Sequence, residues 1–279
     1  MGAPILLLAL LTSLLTGCVL SATQPDPAPS HPSMEQFSPV PQQTPTGSPR
    51  LIKYGWDVPS PEFVQSHVES MEAMPFDGVV VQMPNELGAR IQAQTPAAYE
   101  TLSAALAPMA ATSFTTLRDN FVVVYSTPAG DLFGDWTVPL QNFATLARTA
   151  REAGLTGVFY DNEEYFGGAL RYTGNCVDHT VAECQAQAQL RGRQVMDAMR
   201  SAWPEVRVLV LNGPWVSDPG TAENLPGIAY SDGARWNQLL GSFFVGMVQS
   251  AVGTPAKVID GGEIYSARTL QQFQTIRAW

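Results

Sequence analysis

The sequence predicts an α/β fold: a (β/α) barrel of the TIM type, with about six βα units visible and a possible truncation at the C-terminus. Three observations lead there. Short β-rich runs alternate with helix-patterned stretches from Leu51 onward, several of the runs are continuously apolar, and polar residues recur where the runs end. Continuous apolar runs suit strands covered on both faces. Their alternation with helices indicates a parallel sheet joined by right-handed crossovers. No G-x-G-x-x-G follows the first run, which disfavours a dinucleotide-binding sheet. Chemistry-bearing groups at the ends of several strands are the habit of barrels.

In chain order the predicted strands are residues 51–56, 78–83, 121–126, 157–161, 207–212 and 257–260. Val79-Val80-Val81 and Val122-Val123-Val124 are the clearest apolar cores among them. The predicted helices lie between, at residues 61–74, 97–109, 140–153, 181–203 and 236–252, and residues 268–279 read as the start of another. Residues 227–231 read as a loop because Gly and Asp surround them. Six units are fewer than the eight of a closed barrel, so the sequence reads as a truncated or an atypical one.

The region before the first strand is of a different kind. Residues 5–15 form an apolar run of signal-peptide length, too short to span a bilayer. It runs into Leu15-Thr16-Gly17-Cys18, which resembles the lipobox of bacterial lipoproteins and implies lipidation of Cys18. No Lys or Arg precedes the apolar run, which departs from the usual signal pattern. Eight prolines then fall between Ser21 and Pro49, among Ser, Thr and Gln. Such composition favours extended, solvated backbone. The expected organisation is a signal peptide over 1–17, a lipidated cysteine and tether over 18–49, and one domain over 50–279. The expected location is the bacterial envelope, at the outer membrane or cell surface.

Composition narrows the partners. With 279 residues, 45% hydrophobic and 14% charged, the chain suits a folded domain with a sizeable core. Its net charge of -10 shows no basic patch for phosphate backbones, and the sequence predicts no nucleic-acid partner. Cys176 and Cys184, eight residues apart, read as a loop disulfide in an exported protein. His31, His67 and His179 are scattered, so neither a metal site nor a cofactor is expected.

Candidate chemistry gathers at two strand ends. Residues 157–165, GVFYDNEEY, carry a buried run straight into carboxylates and an aromatic. Side chains alternate along a strand, so Asp161 and Glu163 would share one face if the extended backbone persisted. Close like charges raise one pKa, which gives a proton donor beside an ionised partner, as glycosidic cleavage requires. A solvated strand end, or a calcium site of hard oxygen ligands, remains the plainer reading. Residues 258–265, VIDGGEIY, repeat the pattern, with Glu263 as the partner carboxylate across the mouth and Asp260 either at the site or closing a turn. Trp56, Asp57, Gln82, Tyr165, Asn212, Trp215 and Tyr265 sit at or just past strand ends and join Asp260 as candidate substrate-binding residues. Tyr160 and Tyr172 extend the aromatic set. Arg191 and Arg193, on the long helix, read as solvated and are given no role.

Taken together, residues 54–59 (YGWDVP), 75–79 (PFDGV), Asp161-x-Glu163-x-Tyr165, residues 191–194 (RGRQ) and Asp260-Gly-Gly-Glu263-x-Tyr265 resemble poorly characterised bacterial exported proteins with glycosidase-like barrel domains. The D-x-E strand end is also similar to that of chitinase-like glycosidases, although Gly157 and Phe159 stand where earlier aspartates would be. The expectation is a glycoside hydrolase acting on an extracellular or envelope polysaccharide, with Asp161, Glu163 and Glu263 as catalytic residues. The alternatives are a non-catalytic carbohydrate-binding lipoprotein and a metal-dependent hydrolase with carboxylate ligands.

Overall fold

Valine-rich runs form strands here because β-branched side chains fit a pleated surface with neighbours on both faces. The computed structural model describes residues 50–127, 131–163, 170, 176, 178–214, 239–261 and 269–272, all within Pro49–Trp279, the second of two units into which the chain divides. Its strands are β1 (Ile52–Lys53), β2 (Gly78–Val81), β3 (Phe121–Tyr125), β4 (Gly157–Asp161), β5 (Arg207–Val210) and β6 (Lys257–Asp260). The helices are α1 (Pro61–Glu72), α2 (Leu87–Arg90), α3 (Tyr99–Ala110), α4 (Thr137–Glu152), α5 (Val181–Ala202) and α6 (Leu240–Ala251). Each strand falls where the sequence places one, and four of the six end one to three residues earlier than expected. The single-turn α2 is the element not anticipated.

Local chemistry sets the helix starts. Ser60 caps α1 by accepting from the Phe63 amide at 3.2 Å, with Pro61 in the first turn, where a missing N–H costs nothing. Thr180 and Glu183 form a reciprocal capping box at the start of α5.

The strand order is 1-2-3-4-5-6, and every adjacent pair is parallel. This order decides between the two parallel architectures. A doubly wound sheet reverses its order and places helices on both faces, whereas a sequential one with right-handed crossovers places them all on one face. The burial pattern agrees. Val79, Val81, Val122, Val124, Val158, Val208 and Val210 pack with the helices in one large core. Val80, Phe121, Val123, Phe159 and Leu211 form a smaller cluster on the other face that contains no helical residue. The protein is therefore an α/β barrel-type fold, with six strands and five strand–helix crossovers described. Among the described residues no helix is long and apolar enough to cross a membrane.

Candidate active site

The inner face of the sheet changes character along the strands. Its floor is Val80, Phe121, Val123, Phe159 and Leu211. One period further toward the C-terminal ends, the same face carries Tyr54, Gln82, Tyr125 and Asp161, by the two-residue alternation of strand side chains. These four come from four successive strands or strand ends, and hydrogen bonds join them in pairs. Tyr54 donates its hydroxyl to Asp161 Oδ2 at 2.7 Å, and its ring lies 4.2 Å from that of Phe159. Tyr125 donates to Gln82 Oε1 at 3.3 Å, and its pKa is pushed up, first by burial and then by the nearby Asp161 charge. Tyr125 therefore remains a neutral O–H donor well into alkaline solution. Asp161 itself is 1% exposed.

Several expected residues have other duties. Asp161 Oδ1 accepts from the Glu163 amide at 3.1 Å, a side-chain turn that ends the extended run at Asp161. The expected shared strand face of Asp161 and Glu163 is thus replaced by a turn, with Glu163 half-buried beyond it. Asn162 Oδ1 accepts from the Asn212 amide at 2.9 Å while its Nδ2 donates to the Asn212 carbonyl at 2.7 Å. The backbone of Asn212 therefore serves as a tie between the ends of β4 and β5. Asp260 is exposed, and its carboxylate lies so close to Gly213 that a Cβ there would overlap it. Asp57 is held by Lys53 at 2.9 Å, which lowers its pKa, while Trp56 beside it is 95% exposed. Cys176 and Cys184 are joined as a disulfide. Cys18, Tyr165, Tyr172, Trp215, Glu263 and Tyr265 lie outside the described residues.

Two sequence readings are corrected by the surroundings of the side chains. Tyr160 belongs to the helix-facing core, where it is 1% exposed and donates to Gln92 Oε1 at 2.5 Å; it is no part of an aromatic rim. Arg191 is not solvated. Its guanidinium is buried against the segment after β3, donating to the Leu132 carbonyl at 2.9 Å, to the Gly134 carbonyl at 2.5 Å and to Gln194, and lying over the Trp136 ring.

The sequence reading missed Tyr54 and Tyr125 as site residues. Counting back two residues at a time along each strand would have placed both on the face of Asp161. It also missed Asn85 and Glu86, consecutive after β2, which hold φ values of 54° and 55°. A left-handed backbone is unusual for a non-glycine residue and most unusual for Glu.

Fold and site together define a class: a barrel-type α/β protein with a buried carboxylate and two phenols at the C-terminal ends of its strands. Against known proteins, no family model and no curated protein matches. A solved structure that the chain resembles is the crystal structure of endonuclease IV from Thermus thermophilus, at 13% identity and a TM-score of 0.30, over 83% of this chain and 98% of that one. The expectations of a glycoside hydrolase, of a polysaccharide substrate and of a chain with no nucleic-acid partner find no support in these comparisons and are withdrawn. Barrel rims host many chemistries, so carboxylates at strand ends do not select sugar hydrolysis. At this identity and score the likeness assigns this chain no substrate. The metal-dependent alternative gains nothing either, since the described residues hold no cluster of three or more potential ligands.

Proposed function

We propose that this chain is an enzyme of hydrolytic type whose catalytic centre is the C-terminal mouth of the sheet, with Asp161 as the acid–base carboxylate. The observation that carries the reading is the burial of Asp161 on the inner face, with the Tyr54 phenol bonded to it and Tyr125 close enough to feel its charge. Taking a carboxylate out of water costs several kcal/mol, and an apolar residue there would stabilise the sheet as well or better. Perturbed, partnered groups at barrel mouths are candidates for chemistry on that ground.

In this reading Tyr54 orients the carboxylate through its 2.7 Å hydrogen bond. Asp161 takes a proton from the attacking water as the bond to the leaving group breaks. Tyr125, kept neutral by burial and by the adjacent charge, donates to the oxygen that gains negative charge.

Three chromogenic probes test the reading: p-nitrophenyl acetate, p-nitrophenyl phosphate and bis(p-nitrophenyl) phosphate. At least one should be turned over. Asp161→Asn should lower that turnover by about a hundred- to ten-thousand-fold, the usual contribution of a positioned proton-transfer group, with an unchanged circular dichroism spectrum. A fully active Asp161→Asn protein would end the reading.

We also propose that the chain is exported and anchored at the envelope through Cys18. The 5–15 apolar run, the Leu-Thr-Gly-Cys sequence and the proline-rich segment support this. So does the Cys176–Cys184 disulfide, a bond that persists in oxidising compartments.

A further inference from the structure

Gln82 follows the last residue of β2, and its main-chain N–H donates to the Pro59 carbonyl at 2.9 Å, which fixes its backbone. Its side chain shares the inner face with Val80, two residues earlier. There its Oε1 accepts from the Tyr125 hydroxyl at 3.3 Å. Tyr125 stands opposite Asp161 in the register of β3 and β4, close enough to feel its charge. Gln82, Tyr125 and Asp161 thus cross one face of the mouth on three neighbouring strands.

The two ends of the Gln82 amide are used unequally. A glutamine side chain offers an acceptor oxygen and two N–H donors. Gln92, Asn120, Asn142 and Asn162, all buried, are each bonded through both oxygen and nitrogen. Gln82 is half-buried and bonded through its oxygen alone; its Nε2 has no partner among the described residues. Oε1 and Nε2 share one carbon, so this donor lies within one amide width of an atom already bonded to the phenol. An oxygen placed to accept from Tyr125 is within reach of Gln82 as well. The phenol's present bond is long for its type, and an oxygen gaining charge competes for that hydrogen, because charge-assisted bonds are about twice as strong.

We infer that the Gln82 Nε2–H group and the Tyr125 hydroxyl together hold one substrate oxygen, the doubly bonded oxygen of an acyl or phosphoryl group. The inference rests on the reading of Asp161 given above. Water bonds to the acyl carbon or to phosphorus and gives a proton to Asp161. The displaced electron pair moves onto the held oxygen, where two neutral donors meet its charge. The pair returns as the leaving group departs with its own bonding electrons and takes up the proton from Asp161.

The test measures kcat/KM for the parent, Gln82→Met, Tyr125→Phe and the double variant. The probes are p-nitrophenyl acetate for an acyl group and bis(p-nitrophenyl) phosphate for a phosphoryl one. Gln82→Met keeps the length of the side chain but not its amide. It should lower kcat/KM by about a hundred-fold, the loss usual for one donor to a developing oxyanion, with an unchanged circular dichroism spectrum. Unchanged kcat/KM overturns the inference. Tyr125→Phe should keep measurable activity through the remaining donor, and Gln82→Met should lower it further. A dead Tyr125→Phe protein, or no further loss in the double variant, is fatal too, since Gln82 would then serve only to hold the phenol. If Gln82→Met does not fold, Gln82→Asn, which draws the amide back by one carbon, should show the same loss, and full activity in it overturns the inference. Asp161→Asn run alongside keeps the two ideas apart. Activity in that variant, or none in the parent, defeats the reading of Asp161 and this inference with it, whereas a dead Asp161→Asn beside a fully active Gln82→Met defeats this inference alone.

Discussion

Glu72, at the end of α1, gathers the hydroxyl of Thr115 at 2.5 Å and the amides of Thr115 and Thr116 at 2.6 and 2.8 Å. Burial alone would raise its pKa. The hydrogen bonds from Thr115, Thr116 and Leu117 outweigh that and hold it at about 2, against 4.5 for a free glutamate. A carboxyl depressed by folding adds stability above its unfolded pKa and loses it as pH falls through the folded one. Glu72→Gln should therefore be less stable than the parent above pH 4.5, and the gap should close on approach to pH 2. Urea unfolding across that range measures it; a gap independent of pH would contradict the assignment. At this same scale the sequence was partly transparent. Asp161 and Gln82 are recognisable because polar residues ending apolar runs are conspicuous. Tyr54 and Tyr125 are not, since an aromatic beside valines reads equally well as core and only the face it occupies separates the two.

Between elements, α5 and α6 pack closely enough that each contributes a glycine to the other's backbone. A Cβ on Gly192 would overlap the Phe243 carbonyl oxygen, and one on Gly246 would overlap that of Gln189. Two effects oppose one another here. Alanine is favoured over glycine in a helix by about 1 kcal/mol, whereas forcing a group into a packed contact costs about 1–3 kcal/mol. Overlap with backbone has no rotamer through which to escape, so the second effect should win. Gly192→Ala should destabilise the protein by up to about 2 kcal/mol, the excess of the packing cost over the propensity gain. Denaturant midpoints will show it, and a stabilised variant would mean that the helices can separate without cost. Arg191 teaches a related lesson. Its place in an amphipathic pattern suggests solvent, but α4 and the segment before it cover that face of α5.

For the whole molecule, the order 1-2-3-4-5-6 leaves one sheet face to helices and the other to a small apolar floor beneath a polar layer. That division puts Asp161 and its phenols at one end, while Glu72 works in the loop that leads into the opposite end of β3. In barrels the C-terminal face carries chemistry and the N-terminal face carries stability, and the role proposed for Asp161 and the one argued for Glu72 follow that division. The proposed anchor also belongs to this scale, because it decides where the entire domain resides. Cys18→Ser should move the protein from the membrane fraction to the soluble one and abolish incorporation of labelled palmitate. Unlabelled parent protein would refute lipidation.

Strand positions, the positions of the longer helices and the parallel barrel type were readable in the linear chain, because each depends on short-range periodicity of apolar residues. The carboxylate at the end of β4 was readable for the same reason. Its partners were not. The bonds to Tyr54 and from the Glu163 amide, the pairing of Asn162 with the Asn212 backbone and the burial of Arg191 join residues whose register and coverage are set by strands and helices folding together. Local pattern fixes which face a side chain takes; only the assembled sheet decides what stands opposite it, and hydrogen bonding and charge act over that last few ångströms.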